Sequence, residues 1–380
     1  MRRPPCPRAT ELGRPSRIHP WRTSPGLLAA ALLCLAAPAG TARSEPPSGP
    51  ETSAYVLAPG AGTPFVHAPT IAPLPSGELL VAWYGASGPR AYDAAVYGAR
   101  GAGDRWSAPA TWASTPGLPD ANPVLFRDPQ SGLWLFYATH LGGFSLSWLR
   151  YRRSADGGRT WGPSRTLTRI PGYLPRTKPI VLEDGAWVLP VYHEDLGSRF
   201  LRSADRGATW SWSRWVGSDR QNIQPAVVEL GAGRLLALMR NRGPQGLAWE
   251  AWSADGGRTW DAPRLAGVRN PNASLDLIRL RDGALALVYN DSATDRNALA
   301  VAISRDQGRT WPAQILLEGC AGEFAETGDY PAAAEGPDGM LHVVYAVRGG
   351  AIKYARVDPA RVERVGRPPQ RCGGPGGRGG

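Results

Sequence analysis

The sequence predicts an all-β fold, a six-bladed β-propeller of four-stranded antiparallel blades. Three observations carry that prediction. A Trp-terminated segment recurs at spacings of 55, 49, 50 and 51 residues, a strand, Gly turn, strand unit recurs six times, and no segment shows a clear amphipathic helical period. The 380 residues include 47 Gly and 37 Pro, so turns must punctuate the chain throughout, which disfavours a helical bundle.

The strand pairs come in order, each folded about one glycine. Thr70 to Leu74 and Leu79 to Tyr84 flank Gly77, Val124 to Phe126 and Leu133 to Tyr137 flank Gly132, and Ile180 to Leu182 and Trp187 to Tyr192 flank Gly185. Ala226 to Leu230 and Leu235 to Met239 flank Gly233, Leu275 to Leu280 and Ala284 to Tyr289 flank Gly283, and Ala332 to Ala334 and Met340 to Tyr345 flank Gly339. Out of phase with these pairs, S-x-D-x-G-x-T-W occurs from Ser154 to Trp161, Ser203 to Trp210, Ser253 to Trp260 and Ser304 to Trp311, with a worn copy ending at Trp106. Each copy suits a hairpin. Ser and Asp oxygens bond the turn's own amides, Gly supplies a positive φ, and Trp covers the strands.

Two hairpins per period, six periods and no helical crossover give six four-stranded sheets that hide their edges by closing into a ring. The last period has Ile352 to Val357 but no Trp segment, so Tyr55 to Ala58 from the N-terminal side is expected to complete that blade. The propeller then spans 53–358. Residues 1–43 resemble an export signal followed by a 44–52 linker, and 359–380 are expected to form a disordered Gly/Arg-rich tail. The chain is accordingly expected to be secreted or periplasmic. The apolar run Leu27 to Ala37 is too short to span a bilayer.

The net charge of +11 is concentrated at the ends: residues 1–43 carry +6 and 366–380 carry +3, leaving +2 for the body. A nearly neutral body has no phosphate-binding stripe, so no nucleic-acid partner is expected. The five histidines are scattered and no cysteine pair has ligand spacing, so neither a metal nor a cofactor is expected. Cys6 and Cys34 would leave with the signal, while Cys320 and Cys372 would remain in an oxidising compartment.

A polar residue sits at or beside proline where each blade's first strand begins. The six entries are His67-Ala68-Pro69, Asn122-Pro123, Lys178-Pro179, Gln224-Pro225, Asn270-Pro271-Asn272 and Tyr330-Pro331. On a propeller these side chains converge on one ring at the channel, as a polar ligand site requires. The plainer account is that the prolines are strand-entry devices with solvated neighbours.

The S-x-D-x-G-x-T-W segments resemble Asp-box (BNR) repeats, and residues 53 to 358 resemble a six-bladed sialidase propeller. That family uses a tyrosine nucleophile with a polarising glutamate, an aspartate acid/base and three arginines that clamp a substrate carboxylate. By this resemblance Tyr330 matches the nucleophile, Asp93 the acid/base, and Arg240 and Arg296 two of the clamp arginines. The chain departs from the pattern twice. His67 occupies the position of the remaining arginine and Gln224 that of the glutamate, so the usual Tyr/Glu relay is broken. His67, His193, Glu194, Glu250 and Asp329 are the candidate replacement bases.

The implied activity is an exo-glycosidase that releases a terminal carboxylate-bearing sugar such as sialic acid from a glycan. His67, Lys178, Gln224, Asn122 and Asn272 would shape recognition. Two other functions fit the same ring: a non-catalytic glycan-binding propeller, and a polysaccharide lyase using His67 and Tyr330 on a uronate. Nothing in the sequence sets an oligomeric state.

Overall fold

A computed structural model describes residues 49–130, 132–217, 219–319, 328–348 and 350–365. The signal-like segment and all four cysteines lie outside the described residues.

Six antiparallel sheets follow one another along the chain. Blade 1 contains Phe65–Pro73, Leu79–Ala86, Ala95–Ala102 and Arg105–Trp106, with Ala110–Ala113 also paired to its third strand. Blade 2 contains Asp120–Arg127, Leu133–His140, Ser147–Ser154 and Arg165–Thr166. In blade 3 the first strand is interrupted: Tyr173–Pro175 and Ile180–Val181 both pair with Trp187–His193, followed by Gly197–Ser203 and Ser211–Trp212. Blade 4 contains Asn222–Gly231, Arg234–Asn241, Leu247–Ser253 and Arg264–Arg269. Blade 5 contains Asp276–Arg279, Leu285–Asn290, Leu299–Ser304 and Ala313–Glu318.

Blade 6 closes the ring. Its strands Gly328–Glu335, Leu341–Val347 and Ala351–Val357 are completed by Thr52–Leu57 from the other end of the chain, with Thr52 opposite Arg356. Thr52–Leu57 becomes the outermost strand of the blade and covers the edge that Ala351–Val357 would otherwise expose, so one short strand ties the two sides of the ring together.

The core is divided among neighbouring blades. Apolar side chains of adjacent sheets form six large clusters and two smaller ones, and the repeat tryptophans pack against five of the large ones. The Ser203 copy shows how the repeat holds its shape. Ser203 Oγ donates to Asp205 at 2.8 Å and accepts the Gly207 amide at 2.7 Å, while Asp205 accepts the Thr209 hydroxyl at 2.6 Å. Gly207 has φ +84°, and a Cβ there would come within 2.9 Å of Trp134.

The tail expected from residue 359 is corrected over its first seven residues, because Pro359–Val365 form a helix. Val362 is fully buried in the cluster between blades 5 and 6, the one large cluster that no repeat tryptophan joins. Blade 6 ends without an Asp box, and the helix fills the space that a tryptophan fills elsewhere.

Candidate functional site

Bonds between distant blades place the first-strand entries of blades 1, 3, 5 and 6 beside one another at the channel. Arg176 of blade 3 reaches Ser274 of blade 5 and the Pro331 carbonyl of blade 6, and Thr177 reaches the Pro225 carbonyl of blade 4. Where the first strands begin, the backbone turns into the left-handed region at Ala68, Asn122, Gln224, Asn272 and Tyr330, with φ between +49° and +56°. Four of the five immediately precede a proline. Pairing register slips at the same places in blades 1, 2, 4 and 6, so each X-Pro step is a bulge that turns one side chain out of the ladder. A left-handed tyrosine costs about 1–3 kcal/mol, strain of the kind that concentrates at functional positions.

Tyr330 lies at the centre of the resulting cluster. Arg240 Nη1 donates to its phenol oxygen at 2.7 Å, and the His67 ring centroid lies 3.9 Å from that of Tyr330. Three guanidinium carbons surround the phenol ring: Arg176 at 5.3 Å, Arg296 at 5.8 Å and Arg240 at 5.9 Å from its centroid. Arg240 is oriented by Asn272 Oδ1 at 2.7 Å and Gln224 Oε1 at 3.2 Å. Arg296 pairs with Asp329 at 2.6 Å and also donates to the Asn272 carbonyl. Asn122 and Gln224 both donate to the Tyr192 hydroxyl, at 3.0 and 3.3 Å.

Of the sequence candidates, His67, Gln224, Arg240, Asn272, Arg296 and Tyr330 thus come together, with Asn122 joined through Tyr192. Lys178 is corrected out of this ring. It and Arg176 are two residues apart and both enter the channel, but at different heights: Arg176 bonds the Pro331 carbonyl, whereas Lys178 bonds the Ala333 carbonyl and Asp276 at 2.8 Å. Lys178 instead borders a cavity at the opposite end, with Glu229, Arg279 and Glu335. Asp93 is exposed on the loop after blade 1's second strand, and its carboxylate accepts the Ser87 amide at 3.1 Å.

The other candidate bases separate clearly. Asp329 is engaged by Arg296, Glu250 by Arg264 at 2.6 Å, and His193 Nδ1 accepts the Asp195 amide. Glu194 follows Tyr192 by two residues and lies 3.5 Å from Arg242; burial pushes its carboxyl pKa up. Burial, opposed by Asp329 and reinforced by Arg176, Arg296 and Arg240, brings His67 down to about 4, so its imidazole is neutral at pH 7. Burial likewise pushes the Tyr84 and Tyr192 phenols up.

Sequence reasoning missed Arg176, Tyr84 and Tyr192. The two tyrosines lie near the C-terminal ends of the second strands of blades 1 and 3, a position available from the hairpin pattern. Two cavities flank the cluster. One of about 600 Å³ is bordered by His67, Arg296, Asp329 and Arg348, and one of about 430 Å³ by Tyr84, Tyr92, His140 and Phe144. Among the described residues, no group of three His, Cys, Asp or Glu side chains is arranged to hold a metal.

A family model for the BNR repeat-like domain matches residues 77–343. The chain belongs to that family. No curated protein matches it. Among solved structures, this BNR repeat-like propeller is similar to the Hadza microbial sialidase Hz136, with 20% identity and a TM-score of 0.71 over 81% of this chain and 68% of the other. It is also similar to a protein of unknown function from Dyadobacter fermentans, with 18% identity and a TM-score of 0.66 over 81% and 98% of the two chains. A third similar structure is the intramolecular trans-sialidase from Ruminococcus gnavus, with 13% identity and a TM-score of 0.65 over 81% and 97%. The BNR repeat-like chain therefore has the sialidase propeller fold. Among its described residues no helix is long and apolar enough to cross a membrane.

Proposed function

We propose that this propeller is an exported sialidase-like exo-glycosidase that takes a terminal, carboxylate-bearing sugar from a glycan. The observation that carries the proposal is the Tyr330 phenol, hydrogen-bonded to Arg240 and surrounded by three guanidiniums. Three positive charges against the single carboxylate of Asp329 favour an anionic ligand, and forked guanidiniums suit a carboxylate.

In this reading Arg240 and Arg296 hold the sugar carboxylate, which sets the anomeric carbon against Tyr330. The phenol oxygen attacks that carbon as the bond to the leaving oxygen breaks, giving a tyrosyl-sugar intermediate. The phenol proton passes to His67, the neutral imidazole packed on the ring. Asp93, whose loop borders the apolar cavity, protonates the leaving oxygen; Glu194 is a second carboxyl whose acid form burial favours. Water then cleaves the tyrosyl-sugar bond, giving one proton back to the carboxylate and restoring the phenol from His67. Gln224 and Asn272 hold Arg240 in position, and Asn122 supports Gln224 through Tyr192.

The test is release of a fluorophore from a sialic-acid glycoside by the purified chain and its Tyr330→Phe variant. The wild type is expected to turn over, and the variant to lose at least about 100-fold in rate while keeping its melting temperature. Equal rates would remove Tyr330 from the chemistry. A folded wild type that binds the sugar without releasing it would instead identify a glycan-binding propeller.

A further inference from the structure

Arg176 is the residue of the cluster that no sequence pattern singled out, and its environment is unusual for a cation. The residue is only 2% exposed. Its Nε donates to Ser274 Oγ at 2.9 Å, its Nη2 to the Pro331 carbonyl at 2.8 Å and its Nη1 to the Pro69 carbonyl at 3.4 Å. All three acceptors are neutral. The neighbouring carboxylates are committed elsewhere, Asp276 to Lys178 and Asp329 to Arg296. A buried guanidinium without its own carboxylate is expensive to keep.

What it touches indicates what that expense achieves. Pro69 and Pro331 directly follow Ala68 and Tyr330, the left-handed residues of blades 1 and 6. One guanidinium therefore ties together the two bulges that carry His67 and Tyr330, and leaves an unneutralised charge beneath the phenol. In a site screened from water such a charge acts strongly on an anion without contact.

We infer that Arg176 is a positioning residue, which fixes the Tyr330 bulge and supplies a preset positive field for the ligand's carboxylate without touching the ligand. The inference rests on the proposed function, because it assumes that the ligand is a carboxylate sugar. It predicts that Arg176 discriminates charge rather than shape.

The experiment is calorimetric binding of N-acetylneuraminate and of its neutral methyl ester to the wild-type chain and to Arg176→Gln, Arg176→Lys and Ser274→Asp. The wild type is expected to prefer the acid. Arg176→Gln should lose about tenfold more affinity for the acid than for the ester, whose own smaller loss reports the freed bulges. Arg176→Lys should recover most of the preference. Ser274→Asp places a carboxylate against Nε while keeping both bonds to the prolyl carbonyls, and should also lose the preference; it decides the matter if Arg176→Gln does not fold. Acid and ester affinities that fall together, or a preference retained in Ser274→Asp, would overturn the inference while leaving the proposed function standing. A wild type that binds neither ligand, or both equally, would overturn the proposed function and this inference with it.

Discussion

His67 stands against Tyr330 where its own charge state depends on what the arginines hold. Burial and three guanidiniums keep it neutral, with a pKa of about 4, against the opposing pull of Asp329. A carboxylate bound to Arg240 and Arg296 would cancel much of their push and raise the imidazole's affinity for a proton. The sign follows: binding takes up a proton between the free value and the higher bound value, and affinity for an ionised carboxylate rises as pH falls through that window. Each unit of upward shift is worth about tenfold in affinity. Calorimetry at pH 5 in two buffers of different ionisation enthalpy measures the uptake, which is expected in the wild type and absent in His67→Asn. Undiminished uptake in the variant would assign the proton to another group. An arginine at this position would hold its charge across the whole range, so a histidine here would make binding of a carboxylate sugar depend on pH.

The Asp boxes show how a local motif stabilises an element. Ser203 is buried, and its hydroxyl joins Asp205 to the Gly207 amide. Ser203→Ala strands that amide, at a cost of about 1–3 kcal/mol. Denaturant unfolding should show a lower midpoint with an unchanged slope. Asp205 behaves differently. Bonds from Thr209 and Ser203 pull its carboxyl down to about 2, so its support is present above about pH 4 and is lost as pH falls towards 2. Such motifs are legible in sequence because their partners lie within four residues. The strand-entry ring is legible for a similar reason, since the proline beside each polar residue marks the bulge. Arg176 is not legible, because its bonds reach residues 98 and 155 positions away and its own strand is interrupted. Lys178 is not separable from the ring in sequence, because its proline looks like the others although the chain there breaks instead of bulging. The helix Pro359–Val365 escaped notice because seven residues carry too short a period, and its stability comes from packing.

The whole ring closes with both ends of its chain. Tryptophans 106, 161, 210, 260 and 311 each pack against one interblade cluster, and the sixth cluster takes Val362 from the C-terminal helix. On the other side of blade 6, Thr52–Leu57 pairs with Ala351–Val357, and Glu51 meets Arg356 at 3.0 Å. A propeller cut at residue 358, the limit that the strand pattern suggests, therefore lacks the sixth wedge. Ending the chain after Asp358 should cost about 1.5–3 kcal/mol from exposing the Val362 pocket. The exposed Arg305–Glu363 pair adds little, so Glu363→Gln should be nearly neutral. Thermal unfolding of the full chain, the truncated chain and Val362→Asp separates these terms. A lower melting temperature in both the truncation and Val362→Asp, with Glu363→Gln unchanged, is the result that makes the helix part of the closure; an unchanged truncation would mean that the strand pairing alone holds the ring. Because the site draws residues from all six blades, with Arg296 from blade 5 and Tyr330 from blade 6, a ring loosened between blades 5 and 6 should also move Arg296 relative to Tyr330. The truncated chain is accordingly expected to lose affinity for a carboxylate sugar at temperatures well below its melting point.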